Sequence, residues 1–132
     1  MSAFRPRDVH IFRPYADELP WELLASVAAD EEALAGVLEL NLVRVAKYDD
    51  RVLGAYGIRP LSTTRFELVV LVVAEGYRRK GLGRWLLGHA LGLAESKGAR
   101  EVVMRGHNYQ RFLSRVGFEP DGADLLLRLS PE

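Results

Sequence analysis

A basic, glycine-containing segment is the strongest candidate for chemistry in this 132-residue sequence. It reads Arg78-Arg79-Lys80-Gly81-Leu82-Gly83, with Arg84 directly after it, and lies between an apolar run and a helix-forming stretch. Glycines let a ligand approach the backbone closely, and the N–H groups at the start of a helix attract anions. With four cationic side chains nearby, the segment predicts a binding site for a ligand that carries several phosphates.

The spacing of the glycines excludes two common phosphate-binding motifs. A P-loop requires Lys and then Ser or Thr after its second glycine, whereas Leu82 follows Gly81 here. A dinucleotide-binding fingerprint requires a third glycine or an alanine at the position that Leu86 occupies. The pattern that remains is R-x-x-G-x-G.

The composition restricts the remaining classes of function. Eighteen basic and eighteen acidic residues give zero net charge, so we expect neither nucleic acid nor an anionic membrane as a partner. The absence of cysteine excludes disulfides, thiolate metal sites and a covalent thiol intermediate. No His, Asp and Glu spacing is typical of a metal site, so we expect no metal. The N-terminus lacks an apolar leader and the longest apolar run is short, which predicts a cytoplasmic protein.

The elements around the glycine segment follow from apolar periodicity and from turn residues. We expect strands at 9–12, 42–47, 52–58, 66–73, 101–104 and 123–129, and helices at 21–40, 82–97 and 109–116, with a turn at 49–50. The run at 66–73 does not alternate, which predicts a strand buried on both faces at the sheet centre. The order predicts a mixed sheet with helices on its faces, with Trp21 and Trp85 in the core and His89 either packed or surface-facing.

Two stretches resemble the GNAT superfamily of N-acetyltransferases. VVAEGYRRKGLGRWLL, at 72–87, resembles the family's central block of strand, pyrophosphate loop and helix, with Glu75 where the family has proline. RFLSRVGFEP resembles the family signature FY-x-x-x-GF through Phe112, Gly117 and Phe118. The resemblance extends over essentially the whole chain, since the order of elements is also that of the family.

The resemblance implies a fold and an activity. The fold class is α/β (α+β), a single GNAT-like domain over 1–132 with a mixed, mostly antiparallel central sheet and helices on both faces. The activity is transfer of an acetyl group from acetyl-CoA to an amine, on a small molecule or on a protein lysine or N-terminus. The protein is then a monomer or a homodimer.

The resemblance also assigns the residues that bind acetyl-CoA. In the family, the central strand separates from its neighbour, and its backbone N–H groups bind the pantetheine arm and the acetyl oxygen. Those groups belong here to Leu71, Val72 and Val73, and Asn108 stands near the place of a CoA-contacting asparagine. The pyrophosphate contacts fall on Arg78, Arg79, Lys80, Gly81, Leu82, Gly83 and Arg84.

Glu67 is the candidate general base. It stands where related histone-type acetyltransferases place their catalytic glutamate, and strand alternation puts it on the same face as Leu71 and Val73. A carboxylate beside the acceptor amine can accept the proton that the amine must lose. The alternative is that Glu67 and Arg65 belong to the solvated start of the strand.

The general acid is where the sequence departs from the family. Leu113 stands at the position of the family tyrosine, and leucine cannot donate a proton. Tyr109 or His107 could replace it, although His107 or Asn108 could instead cap the last helix and Tyr109 could belong to the core. Leu113 therefore favours a second hypothesis, an acetyl-CoA-binding regulatory or interaction module with little or no catalytic activity.

Overall fold

The computed structural model describes residues 9–12, 42–48, 51–77, 81–105 and 109–129. The helix expected at 21–40, Trp21 and the turn at 49–50 lie outside these residues. In chain order, the described elements are β1 (His10–Phe12), β2 (Val43–Tyr48), β3 (Arg51–Pro60), β4 (Arg65–Val73), α1 (Leu82–Ser96), β5 (Glu101–Arg105), α2 (Gln110–Ser114), β6 (Glu119–Asp121) and β7 (Asp124–Arg128).

The strands form one seven-stranded sheet in the order β1-β2-β3-β4-β5-β7-β6. Every neighbouring pair is antiparallel except β4 and β5, which are parallel. The mixed, mostly antiparallel α/β fold is therefore confirmed. The apolar strand β4 takes the central position and is buried along most of its length, as its sequence predicted.

The C-terminal hairpin differs from the prediction. A single strand was expected at 123–129, but the chain forms β6 before the turn and β7 after it. All three residues of β6 are exposed, and one of them is Pro120. Such a short edge strand carries neither apolar alternation nor β-branched residues, so the pattern could not indicate it.

Helix α1 is confirmed at nearly the predicted bounds. Leu82, Leu86 and Ala90 are buried at helical spacing and join the main hydrophobic core. The helix ends where Gly98 adopts a φ of 101° and its N–H donates to the Glu95 carbonyl oxygen at 3.0 Å. The expected glycine stop is therefore present.

Trp85 is not in the core, so that prediction was wrong. Its side chain is 44% exposed. The prediction used residue type alone, whereas the buried side of α1 is set by Leu82 and Leu86. Because each residue turns a helix by about 100°, the residue before Leu86 points well away from that side.

Gly54 sets the distance between α1 and the sheet. A methyl group at this position would lie 2.7 Å from the Val72 carbonyl oxygen and 2.8 Å from Leu86 Cδ1. Both distances are shorter than a non-bonded methyl carbon tolerates. Only glycine therefore fits at this contact between β3 and α1. The start of α1 is thereby held close to the end of β4.

Strand β4 contains a β-bulge. Gly57 is opposite Val70 and Ile58 is opposite Leu68, so Val69 is an extra residue with no partner of its own on β3. A bulge of one residue reverses the alternation of side chains between the two faces. The N-terminal and C-terminal halves of β4 therefore follow different alternation phases.

Candidate active site

The start of α1 presents backbone N–H groups without a capping side chain. Gly81 is the N-cap residue, with φ 84° and ψ −1°, and among the described residues no side chain caps this end of the helix. The first turn contains no acidic residue. The first described bond within the helix joins the Trp85 N–H to the Gly81 carbonyl oxygen at 3.0 Å. The N–H groups before Trp85 and the helix dipole therefore favour an anion here.

The residues of the glycine segment contribute in different ways to this end of the helix. The Leu82 side chain is fully buried in the core, so only its backbone can face a ligand. Gly83 is half-buried, and Arg84 is exposed. Arg78, Arg79 and Lys80 lie outside the described residues. Their predicted contacts with phosphate stay predictions.

An opening separates β4 from β5. The two strands pair only from Arg65 opposite Glu101 to Glu67 opposite Val103. Beyond that point β4 continues to Val73 and β5 to Arg105 without pairing to each other. The sequence resemblance implied this separation of the central strand from its neighbour.

Two of the three predicted backbone donors face this opening. The Ala74 N–H donates to the Leu53 carbonyl oxygen on β3 at 2.7 Å. Because backbone groups alternate in direction along a strand, the N–H of Val72 also points toward β3, and those of Leu71 and Val73 point toward the opening. The Val72 carbonyl oxygen, close to Gly54, has the same orientation.

The first turn of α1, the end of β4 and α2 meet at Gly83. A methyl group on Gly83 would lie 3.7 Å from Phe112 Cζ and 3.8 Å from Val73 Cγ2, both ordinary contacts. The first turn of α1 therefore lies directly beside the end of β4 and beside α2. A ligand arm that follows β4 would reach the N–H groups of α1 at this point.

The prediction that Glu67 shares a face with Leu71 and Val73 was wrong. Glu67 is opposite Arg59, whereas Leu71 is opposite Tyr56. Arg59 and Tyr56 are three residues apart on a regular stretch of β3, so they lie on opposite faces. The bulge at Val69 reverses the alternation on which the prediction relied, and Glu67 lies on the face opposite α1.

Glu67 is buried in an ion-pair cluster with two arginines. It is 3% exposed, so the alternative of a solvated strand start does not hold for it. Arg59 Nε donates to Glu67 Oε1 at 3.0 Å, and Arg59 Nη2 forms an ion pair with the same oxygen at 2.9 Å. Arg105 Nε lies 3.6 Å from the same oxygen. The two guanidinium groups stabilise the negative charge of a carboxylate that burial alone would disfavour.

Arg59 was missed by the sequence analysis, although a signal was available. The register of β3 and β4 centres their hairpin on Thr63, and Arg59 and Glu67 each lie four residues from it. Residues at equal distances from a hairpin turn lie opposite each other, so the pair could have been found by counting from the turn. Arg105 gave no such signal because β5 is distant in sequence.

The corner expected to supply a general acid contains Tyr109, whereas His107 and Asn108 lie outside the described residues. Tyr109 is the N-cap residue of α2, makes no side-chain cap bond, and is half-buried against the core. Leu113, at the place of the family tyrosine, is fully buried in the core. Phe112 is the α2 side chain that approaches Gly83.

A hydrogen bond joins α1 to β3 on the other side of the helix. The Tyr56 hydroxyl and His89 Nδ1 are 2.6 Å apart. Burial raises the pKa of Tyr56 far above its ordinary value. Burial, followed by the positive charge of Arg44, lowers the pKa of His89. His89 is surface-facing, which is one of the two predicted placements. Its hydrogen bond to Tyr56 also links α1 to the sheet.

The surface cavities lie apart from this site. Two surface cavities are lined by the β6–β7 hairpin and by residues near Pro60 and Lys97, and neither includes a candidate residue. Within the described ranges, no group of three or more His, Asp or Glu side chains could hold a metal ion. No helix in that part of the chain is both long and apolar enough to span a membrane.

Comparison with known structures gives the same fold. An acetyltransferase of the GNAT family from Elizabethkingia anophelis, with acetyl-CoA bound, has a TM-score of 0.77 at 20% identity, over 92% of this chain and 99% of its own. The IAA acetyltransferase from Bacillus cereus ATCC 14579 has a TM-score of 0.76 at 23% identity, over 92% of this chain and 99% of its own.

A third structure is longer than this protein. N-acetylglutamate synthase from Neisseria gonorrhoeae, in complex with coenzyme A and N-acetyl-glutamate, has a TM-score of 0.79 at 17% identity. The match covers 99% of this chain and 36% of the synthase. No curated protein matches the sequence. The model of the Acetyltransferase (GNAT) family matches residues 4–118, most of the chain, and the protein therefore belongs to the GNAT family of acetyltransferases.

Proposed function

We propose that this protein transfers the acetyl group of acetyl-CoA to an amine. The observation that carries the proposal is the opening between β4 and β5, which leads to the uncapped start of α1. An opening with backbone donors along one wall suits an extended amide-containing arm, and the helix start suits a pyrophosphate. Similar structures from Elizabethkingia anophelis and Brucella melitensis hold acetyl-CoA.

Acetyl-CoA, the acetyl donor, would be held mainly by backbone N–H groups. The N–H groups of Leu71 and Val73 would contact the pantetheine arm and the acetyl oxygen, and those of Leu82 and Gly83 the pyrophosphate. Gly81 lets the backbone turn sharply before them. Val72 would contribute through the shape of β4, and the remaining phosphate and arm contacts would come from Arg78, Arg79, Lys80, Arg84 and Asn108.

Acetyl transfer then needs three events. The acceptor ammonium loses a proton to the Glu67 carboxylate, and its nitrogen attacks the carbonyl carbon of the thioester. The β4 backbone donors stabilise the charge that develops on the carbonyl oxygen. As the new C–N bond forms, the C–S bond breaks and the nitrogen releases its second proton to water, while the CoA thiolate takes a proton from Tyr109, from His107 or from water.

A second candidate function is an acetyl-CoA-binding regulatory module. The buried Leu113 favours it, because the family position for a proton donor is occupied by a core side chain. A thiol has a pKa of about 8.5, so CoA can also leave as a thiolate. We therefore expect a slower enzyme rather than an inactive one.

The proposal also includes a cytoplasmic location, a single domain and a monomeric or homodimeric state. The composition and the family match support these parts of it.

Ligand-dependent stability tests the binding site. Acetyl-CoA at about 100 times its dissociation constant should stabilise the fold by roughly 2.7 kcal/mol, whereas ATP and NAD should do much less. Gly81→Trp should abolish the stabilisation. Gly122→Trp is the matched control, since Gly122 is also exposed with positive φ but lies in the distant β6–β7 turn. Equal stabilisation by ATP or NAD would contradict the assignment.

A panel of amines separates the enzyme from the regulatory module. Release of free CoA that depends on an amine, with one N-acetylated product for each CoA, would establish the enzyme. Acetyl-CoA binding without amine-dependent release would favour the module. The panel should include small amines, amino acids and peptides with a free lysine or N-terminus.

A further inference from the structure

Three charged side chains meet on the face of the sheet opposite α1. Arg59 on β3 is directly opposite Glu67 on β4. Glu67 is opposite Val103 on β5, and Arg105 follows two residues later on the same face. Arg105 lies just beyond the last β4–β5 pair, at the beginning of the opening. The cluster therefore stands where the two strands begin to separate.

The contacts among the described residues leave part of Arg59 and part of Glu67 available. Both arginines approach Oε1 of Glu67, and Oε2 takes no part in these contacts. Arg59 uses Nε and Nη2 on that single oxygen, and its Nη1 takes no part. A guanidinium and a carboxylate paired side by side would normally use both oxygens. The observed geometry leaves donors on Arg59 and an acceptor on Glu67.

The exposure of the cluster is graded. The Glu67 side chain is 4% exposed, that of Arg59 21% and that of Arg105 50%. A group that arrives from solvent therefore meets guanidinium before it meets carboxylate. A ligand that carries only a positive charge would have to pass two cations to reach Glu67. A ligand that also carries a negative charge would be attracted to them.

We propose that this cluster selects acceptors that carry a carboxylate beside the amine, as a free α-amino acid does. The inference rests on the proposed function. Arg59 binds the acceptor carboxylate with the donors that Glu67 leaves unused, and Glu67 receives the ammonium at Oε2. The two charges of an α-amino acid flank one carbon atom, so they are nearly as close together as the charges of Arg59 and Glu67.

The same arrangement disfavours acceptors without a carboxylate. A plain amine in this position would desolvate the Arg59 guanidinium without offering it any acceptor, and an amide would offer one neutral carbonyl oxygen in place of two charged carboxylate oxygens. Sites that hydrogen-bond one substrate group discriminate strongly against analogues that lack it. A lysine side chain, whose backbone carboxylate is part of a peptide bond, is such an analogue.

Matched acceptors test the inference in the unmodified protein. Leucine, leucinamide and 3-methylbutylamine share one side chain and differ in the presence of the carboxylate. Glycine and glycinamide, and glutamate and glutamate 1-amide (isoglutamine), form further pairs. The kcat/KM for each is measured by CoA release and corrected for the fraction of uncharged amine. We expect at least one amino acid to exceed its amide by about 100-fold.

Variants then assign the selectivity to Arg59. Arg59→Gln should reduce the acid-to-amide ratio of kcat/KM to within about threefold of one, and Arg59→Lys should restore part of it. Arg65→Gln is the matched control, because it removes a half-exposed arginine from the same sheet face and should preserve the ratio. A purely structural Arg59 would lower both rates together and leave their ratio unchanged.

Three results would overturn the inference. Amides or plain amines turned over as fast as the acids would remove the carboxylate preference while leaving acetyl transfer established. An unchanged acid-to-amide ratio in a folded Arg59→Gln protein would show that Arg59 has only a structural role. CoA release neither with these acceptors nor with the peptides of the amine panel would reject both the inference and the proposed function. The acid-to-amide ratio of kcat/KM in the wild-type protein tests the carboxylate preference without any variant. The inference can therefore be rejected even if Arg59→Gln does not fold.

Discussion

Substitution of Gly54 tests how α1 is held against the sheet. In Gly54→Ala the new methyl group would lie 2.7 Å from the Val72 carbonyl oxygen and 2.8 Å from Leu86 Cδ1. Leu86 can rotate away, but the carbonyl belongs to the central strand and can move only with it. Overpacking of this kind costs about 1–3 kcal/mol, so we expect the free energy of unfolding to fall by that amount.

Gly88→Ala provides the matched control. Gly88 lies in the middle of α1, is exposed, and has no atom within 4 Å of the position where a methyl group would be added. Alanine is favoured over glycine in a helix by up to about 1 kcal/mol, so this variant should be stabilised. The free energies of unfolding of the two variants should therefore differ by about 1–4 kcal/mol, with Gly54→Ala below wild type and Gly88→Ala above it.

Urea denaturation measures both variants under the same conditions. A change in midpoint with an unchanged m-value reports stability alone. Gly54→Ala should also weaken acetyl-CoA binding, because a displaced α1 moves its N–H groups relative to β4. If Gly54→Ala proved as stable as Gly88→Ala, α1 could not be seated on β3 as described.

Three further predictions concern the site and its surroundings. Glu67→Gln should lower turnover by about 10²–10⁴-fold at pH 7 while leaving acetyl-CoA affinity unchanged, and an unaltered steady-state rate would exclude a role as base. Because the pKa of His89 is lowered by folding, the unfolded chain binds more protons below pH about 6.5, so stability is full above that pH and falls below it. His89→Gln should reduce that loss in thermal melts between pH 7.5 and 5.5, and an identical pH profile would show that burial of His89 is not its source. Tyr109→Phe should slow CoA release if its hydroxyl protonates the thiolate, whereas Leu113→Tyr should destabilise the core because position 113 is fully buried.

The sequence predicted most of the strands and the long helix because their signals are local. The leucine and alanine spacing in α1, and the glycine after it, depend on residues within one or two turns. The apolar run of β4 similarly indicates a central strand without reference to its partners. The exposed strand β6 carried no such signal, and its pairing with β7 was missed.

The predictions about the site failed where they depended on a regular strand or on residue type. Alternation placed Glu67 on the wrong face because nothing in a run of apolar residues marks Val69 as the bulge. Trp85 was assigned to the core as a large aromatic residue, although its position on α1 points it outward. The ion pairs of Glu67 join three strands, and contacts between distant segments leave little trace in one sequence.

Acetyl transfer itself is tested by quantifying both of its products in one reaction. The protein is incubated with acetyl-CoA and the amine panel, and free CoA and N-acetylated product are quantified together, by thiol titration and mass spectrometry. We predict a one-to-one ratio of the two products for at least one amine, and a strong loss of both in Glu67→Gln. Saturable binding of acetyl-CoA with no amine-dependent release of CoA, for small amines, amino acids and peptides alike, would contradict the account.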